Sequence, residues 1–281
     1  MKPIDVTNLI FKKAYKLELD VDTKLTLLSN GIEPDQPMIQ INIRFEYLKN
    51  FAFYYSLNDK YFSYSSLFIV NNNKDQKAKE LFDKEAGIFT QYILNDVFNY
   101  IELSNEIEFD LVTEEYIDSI FDYLLCEHEL IIYLNSISNG RKSGGRKYDI
   151  TNLLLKKLYK SDLDVELCLS VDDSVADAVQ IQFNFYNIAI NDFAIFYGTR
   201  DEEINYCSIY EVYNKHDEKA LKLFNDNKGI YKSFILDDYD EMIHLYTNIN
   251  IKDVDEEIID AIINYISTEH ELNKYLLSLS R

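Results

Sequence analysis

The chain is written twice. Asp5-Val-Thr-Asn-Leu-Ile-Phe-Lys-Lys-Ala-Tyr-Lys16 returns as Asp149-Ile-Thr-Asn-Leu-Leu-Leu-Lys-Lys-Leu-Tyr-Lys160, and 11 of the 17 positions from Asp5 to Val21 are identical at an offset of 144. The offset becomes 140 at Gln40/Gln180 and 142 from Phe51/Phe193 onward, and 14 of the 26 positions from Thr113 to Ser138 recur at that spacing. Length differences are thus confined to two loops, and a structure that suits one repeat must suit the other. The repeats span residues 1–138 and 148–281. Between them, residues 139–147 form a basic, glycine-containing linker that reads as a solvated tether.

Duplication lets every element be read twice. Asp5 or Thr7 is placed to cap a first helix in which Leu9, Ile10, Lys13, Ala14 and Leu17 share a face. Strands are expected over residues 24–29, 38–47, 51–57 and 61–70. In the second of these Ile39, Ile41, Ile43 and Phe45 alternate with Gln40, Asn42, Arg44 and Glu46, so one face is covered and the other polar. Helices over 73–84 and 216–227 are closed by Gly87 and Gly229. Residues 88–103 alone could pass as a helix, but Ile243, Leu245, Thr247, Ile249 and Ile251 alternate in the second repeat. That predicts a hairpin, 88–95 with 100–111. Thr113 and Asp255 cap one long closing helix with acidic residues in its first turn. The fold class is α+β: two tandem α-β-β-β(-β)-α-β-β-α domains, each on an antiparallel sheet, packed as a pseudo-twofold dimer.

With 47% hydrophobic residues, 7 Gly and 3 Pro, the composition is that of a compact globular protein. No stretch approaches the roughly 18 apolar residues that span a bilayer, and the first nine residues lack an apolar leader core, so the expected location is cytoplasmic. Cys126, Cys168 and Cys207 occupy non-matching positions of the repeats, which argues against a disulfide framework or metal knuckle. Of the net charge of -21, the repeats carry -11 and -14 and the linker +4. Such a field repels polyanions and favours basic partners. This element order, size and acidity resemble the type III secretion chaperone-like fold and the related YbjN-type domains. The resemblance covers both repeats. It implies a non-enzymatic binding domain, with the duplication standing in for the family's homodimer.

The sharpest shared string is Glu127-His-Glu-Leu130, repeated as Glu269-His-Glu-Leu272. It is not a zincin motif, because the position that would hold the second histidine is Ile132 or Lys274. On one continuous helix Glu127 falls among Ile120, Tyr123, Leu124, Ile131 and Leu134, and Glu269 falls likewise. A carboxylate so placed needs a partner, and the first helix offers Lys13 and Lys157. The expected pairs, Lys13 with Glu127 and Lys157 with Glu269, are structural. No glycine-rich phosphate loop, nucleophile elbow or recurring Cys/His set is present, so no catalytic, cofactor or metal residue is assigned.

Aromatic residues are abundant, 23 Tyr and 17 Phe with no Trp. Phe51, Phe53, Phe193 and Ile195 read as sheet core. Neighbours on a strand alternate faces, so Tyr54, Tyr55, Phe62 and Tyr64 are not all expected inside. With Tyr206, Tyr210 and Tyr213 of the second repeat they make a candidate interaction surface.

These readings converge on a non-enzymatic acidic binding protein, chaperone- or adaptor-like, presenting a Tyr-rich surface to a basic or extended protein partner. They include no cofactor, no direct nucleic-acid contact and no membrane, and a pseudo-dimer within one chain open to further self-association. The rival is an inhibitor, such as an immunity or phage anti-defence protein that mimics nucleic acid and blocks a basic surface. An enzyme working through paired carboxylates would need two acids converging with a base in one cleft.

Overall fold

The computed structural model of the chain describes residues 1–28, 36–48, 50–96, 99–138, 150–171, 179–186, 188–199, 201–237 and 240–280. The linker expected at 139–147 lies outside them. Two compact units, Met1–Asn152 and Leu153–Arg281, divide the chain. The first repeat runs α1 (Pro3–Lys16), β1 (Asp20–Leu28), β2 (Gln36–Arg44), β3 (Phe51–Ser56), β4 (Tyr61–Ile69), α2 (Gln76–Lys84), β5 (Gln91–Asn95), β6 (Tyr100–Glu108), a 3-10 turn, α3 (Glu114–Leu125) and α4 (Glu129–Ile137). The second follows as α5 (Ile150–Lys160), β7 (Asp164–Val171), β8 (Val179–Tyr186), β9 (Phe193–Gly198), β10 (Glu203–Glu211), α6 (Glu218–Asp226), β11 (Ser233–Leu236), β12 (Met242–Asn250), a 3-10 turn, α7 (Glu256–Ile266) and α8 (Glu271–Leu279).

Each repeat is an α+β domain on a six-stranded antiparallel sheet, in the orders β1-β2-β3-β4-β6-β5 and β7-β8-β9-β10-β12-β11. Four strands meander. The chain then crosses through α2 or α6 and returns as the expected hairpin, whose second strand inserts beside β4 or β10. Leu94 faces Ile101 and Ile235 faces His244 across the two hairpins.

The helix ends show why these residues start where they do. Asp5 is not the cap of α1: it sits one turn in, where its carboxylate accepts the Lys2 backbone N–H at 3.1 Å. Thr7 lies inside the helix, donating to the Pro3 carbonyl at 2.8 Å and sharing a bond with the Tyr55 hydroxyl at 2.8 Å. Asp75 and Asp217 cap α2 and α6 by accepting from Ala78 and Ala220. Each cap also receives the hydroxyl of a tyrosine from the last helix of its repeat, Tyr133 at 3.1 Å and Tyr275 at 3.2 Å. A side-chain cap thereby ties α2 to α4, and α6 to α8.

Strand parity decides what is core. Phe51, Phe53 and Tyr55 of β3 face the helices together with Phe62, Tyr64 and Phe68 of β4, and all are buried. Phe53 is the hub: its ring lies 4.9 Å from Phe51, 5.4 Å from Phe62 and 6.3 Å from Phe121 of α3. Such aromatic pairs contribute about 0.5–1.5 kcal/mol beyond their burial. In the second repeat Phe193, Ile195 and Tyr197 take the corresponding positions, also buried.

The closing helix is not continuous. It breaks at residues 126–128, with Cys126 and His128 extended, and again between Ile266 and Glu271. The cause is shared. His128 folds back to stack on Tyr123 with ring centroids 3.6 Å apart, and His270 stacks on Tyr265 at 3.7 Å. The histidine Nε2 meets the carbonyl of that same tyrosine at 2.8 and 3.1 Å. Gly87 and Gly229, both at positive φ (63° and 58°), pass directly against these tyrosine rings. The Glu-His-Glu-Leu string is thus the corner between two helices.

The repeats differ inside. Ser208 and Tyr231 exchange a buried hydroxyl bond at 2.7 Å, whereas the matching Ser66 faces Phe89's position and its Oγ has no hydrogen-bond partner among the described residues. Tyr231→Phe removes this bond, leaving Ser208 with the Tyr210 hydroxyl, and should cost about 1 kcal/mol in urea unfolding. A neutral Tyr231→Phe would mean that the bond contributes nothing. Phe89→Tyr tests the reciprocal gain.

Candidate functional site

The expected ion pairs form with the right helix and the wrong residues. Lys13 bonds Asp118 and lies 3.9 Å from Glu114; Lys157 lies 2.9 Å from Asp260 and 3.0 Å from Glu256. The lysine side chains are 20% and 22% exposed, as a partly buried pair requires. Donating hydrogen bonds to Asp260 and then Glu256 raises the Lys157 pKa. Glu127 and Glu269 are exposed, and Glu269 meets Lys274 at 2.5 Å. The correction follows from the helix break: continuous phase no longer holds past residue 125, so the inward acids are those of α3 and α7, one turn apart.

The candidate aromatic surface is corrected as well. Tyr55, Phe62, Tyr64, Tyr206 and Tyr210 are core, and only Tyr54 (37% exposed) and Tyr213 (74%) reach solvent. Burial holds the Tyr55, Tyr64 and Tyr210 hydroxyls protonated, their pKa values raised above the usual tyrosine range. The alternation that set Tyr54 apart from Tyr55 is real. It turns one tyrosine out and leaves Phe62 and Tyr64, two residues apart, both inside.

What sequence reasoning missed is the opposite face of the second sheet. There a hollow of about 610 Å³ opens across β8, β9, β10 and β12. Amides of β8 (Gln180, Gln182, Asn184) line it together with rings of β9 and β12 (Phe196, Tyr246) and with Tyr186. Cys207 and His244 also contribute to its wall. The signal was available as even-parity polar residues on β8, but which strands stand beside it depends on sheet order. First-repeat residues at the same positions include Arg44 for Asn184 and Glu102 for His244, so the second face has lost charge that the first carries.

Among the described residues Asp192 is the one carboxylate lining the hollow, and its backbone is left-handed at φ 39°. Asn191 donates to Asp192 at 3.0 Å and to the Ile209 carbonyl at 3.1 Å, which fixes this turn against β10. Burial pushes the Cys207 thiol up to about 11. A hydrogen bond to Glu166, then burial, pushes Tyr186 up to about 12, and burial raises Tyr246. These groups stay protonated at neutral pH, so Cys207 is a thiol there and a poor nucleophile. Among the described residues no group of three or more His, Cys, Asp or Glu could hold a metal ion. No described helix is long and apolar enough to cross a membrane.

No family model matches the chain, and no curated protein matches it. Among solved structures it is similar to the I-LtrWI LAGLIDADG homing endonuclease bound to target DNA, at 10% identity and a TM-score of 0.18, covering 96% of this chain and 88% of that one. It is also similar to the meganuclease I-SmaMI bound to uncleaveable DNA, at 11% identity and a TM-score of 0.19, covering 95% and 86%. Both are DNA complexes. They run against the expectation of a chaperone- or inhibitor-like protein with a basic protein partner and no nucleic-acid contact, and that expectation is withdrawn. At TM-scores of this size the likeness transfers no activity and no residue role to this chain.

Proposed function

We propose that the chain is a non-catalytic receptor for a small polar molecule, held on the open face of the second sheet. The observation that carries this reading is the hollow itself. Its volume, about 610 Å³, falls within the roughly 300–1,000 Å³ of ligand clefts, and it combines aromatic walls with a few converging amides. The protonated state of Cys207, Tyr186 and Tyr246 supports binding without chemistry: these groups can donate or accept hydrogen bonds, and none is a ready nucleophile or base at neutral pH.

Cys207 supplies the test. Alkylation with iodoacetamide at pH 9, read for each cysteine by mass spectrometry, should be slow at Cys207 and fast at the exposed Cys126. A ligand in the hollow covers Cys207 and should slow it further without touching Cys126. Millimolar amines, alcohols and sugars form the panel. If none protects Cys207 selectively, the hollow is not a binding site.

A further inference from the structure

We infer that the molecule taken up by this hollow is a small organic cation, an amine carried on an apolar or aromatic body; this deepens the proposed receptor function and rests on it. Four donors of the hollow already hold partners: Gln182 Nε2 donates to Asn184 at 2.6 Å, Asn184 Nδ2 to the Cys168 sulfur at 3.3 Å, the Tyr186 hydroxyl to Glu166 at 2.6 Å, and the Tyr246 hydroxyl to Asn205. With their protons given to Glu166 and Asn205, the Tyr186 and Tyr246 hydroxyls present oxygen lone pairs, while the amides of Gln180, Gln182 and Asn184 keep both donor and acceptor capacity. The two hydroxyl oxygens favour a ligand that donates hydrogen bonds.

Charge points the same way. Among the described residues Asp192 is the only carboxylate in the lining, and no described lysine or arginine lines it. The second repeat carries -14, a field that concentrates cations at its surface. Phe196 and Tyr246 add ring faces, on which a desolvated ammonium gains cation–π attraction while its hydrocarbon body is covered. The left-handed backbone at Asp192 is costly for most side chains, and it is held by the two hydrogen bonds of Asn191. That arrangement fixes the backbone that carries the Asp192 carboxylate.

Calorimetric titration of the full chain at pH 8 and low salt tests this with three probes that share a phenethyl body: phenethylamine, 2-phenylethanol and 3-phenylpropionate. The amine should bind one per chain, at least about tenfold tighter than the alcohol, and the acid should not bind. Asp192→Asn, which keeps a residue tolerant of the left-handed region, should weaken the amine about tenfold and leave the alcohol unchanged. Glu257→Gln removes the same charge from an exposed position of α7 and should change neither. Phe196→Ala should weaken amine and alcohol alike. An alcohol that binds as tightly as the amine overturns the cation assignment while the receptor function stands, as does an Asp192→Asn variant no weaker than Glu257→Gln. If none of the three probes binds, both readings fall.

Discussion

Replacing Gly87 by alanine is expected to destabilise the first repeat by about 2–5 kcal/mol, the sum of a left-handed backbone forced on a Cβ and an overpacked contact. At φ 63° alanine is strained whatever the space around it. A Cβ here would also land inside the contact radius of the Tyr123 ring. The ring cannot simply move aside, because it is stacked on His128 at 3.6 Å and edges onto Phe89 at 6.3 Å. Displacing it unseats the corner between α3 and α4. Gly229→Ala meets the same arrangement at Tyr265 and should show a loss of the same order in the second repeat. Urea unfolding followed by far-UV circular dichroism measures both. Losses below about 1 kcal/mol at both sites would mean that the tyrosine–histidine corner is soft and does not set the helix break.

Phe53→Ala should cost about 3–5 kcal/mol, while Tyr54→Ala, one residue on, should cost less than about 1 kcal/mol. Phe53 has no exposed surface and contacts rings from β3, β4 and α3, so truncation opens a cavity that several rigid aromatics cannot collapse into. Tyr54 points from the same strand to the open face and keeps more than a third of its surface in solvent. The contrast between neighbours is the test of parity. Comparable losses from the two variants would show that both faces of this sheet are packed.

The two readings of the Glu-His-Glu-Leu string show how far a single helix phase can be extended. Periodicity placed Glu127 on the apolar face by counting through residues 126–128 as though they were helical. A stacked Tyr123–His128 pair, five residues apart and invisible to a hydrophobic pattern, reset that count. The positively charged side was read correctly because Lys13 and Lys157 lie on α1 and α5, which are continuous. Their partners moved from Glu127 and Glu269 to Asp118 and Asp260. The aromatic surface failed for a related reason: alternation says that neighbours part company, but which parity meets the helices depends on the side from which they dock.

By itself the sequence determined the duplication, the α+β class, the order of elements and the hairpin that the second repeat made legible. These are local properties, set by the spacing of apolar residues along a few turns or strands, and the fixed offset let each be read twice. Only the tertiary structure decided where the closing helix breaks, which acids meet Lys13 and Lys157, and that a hollow lined by Phe196, Tyr246 and Asp192 opens across four strands of the second repeat. Those are relations between segments far apart in the chain. They depend on sheet order and on the phase of each helix at its ends, quantities that no short-range pattern carries.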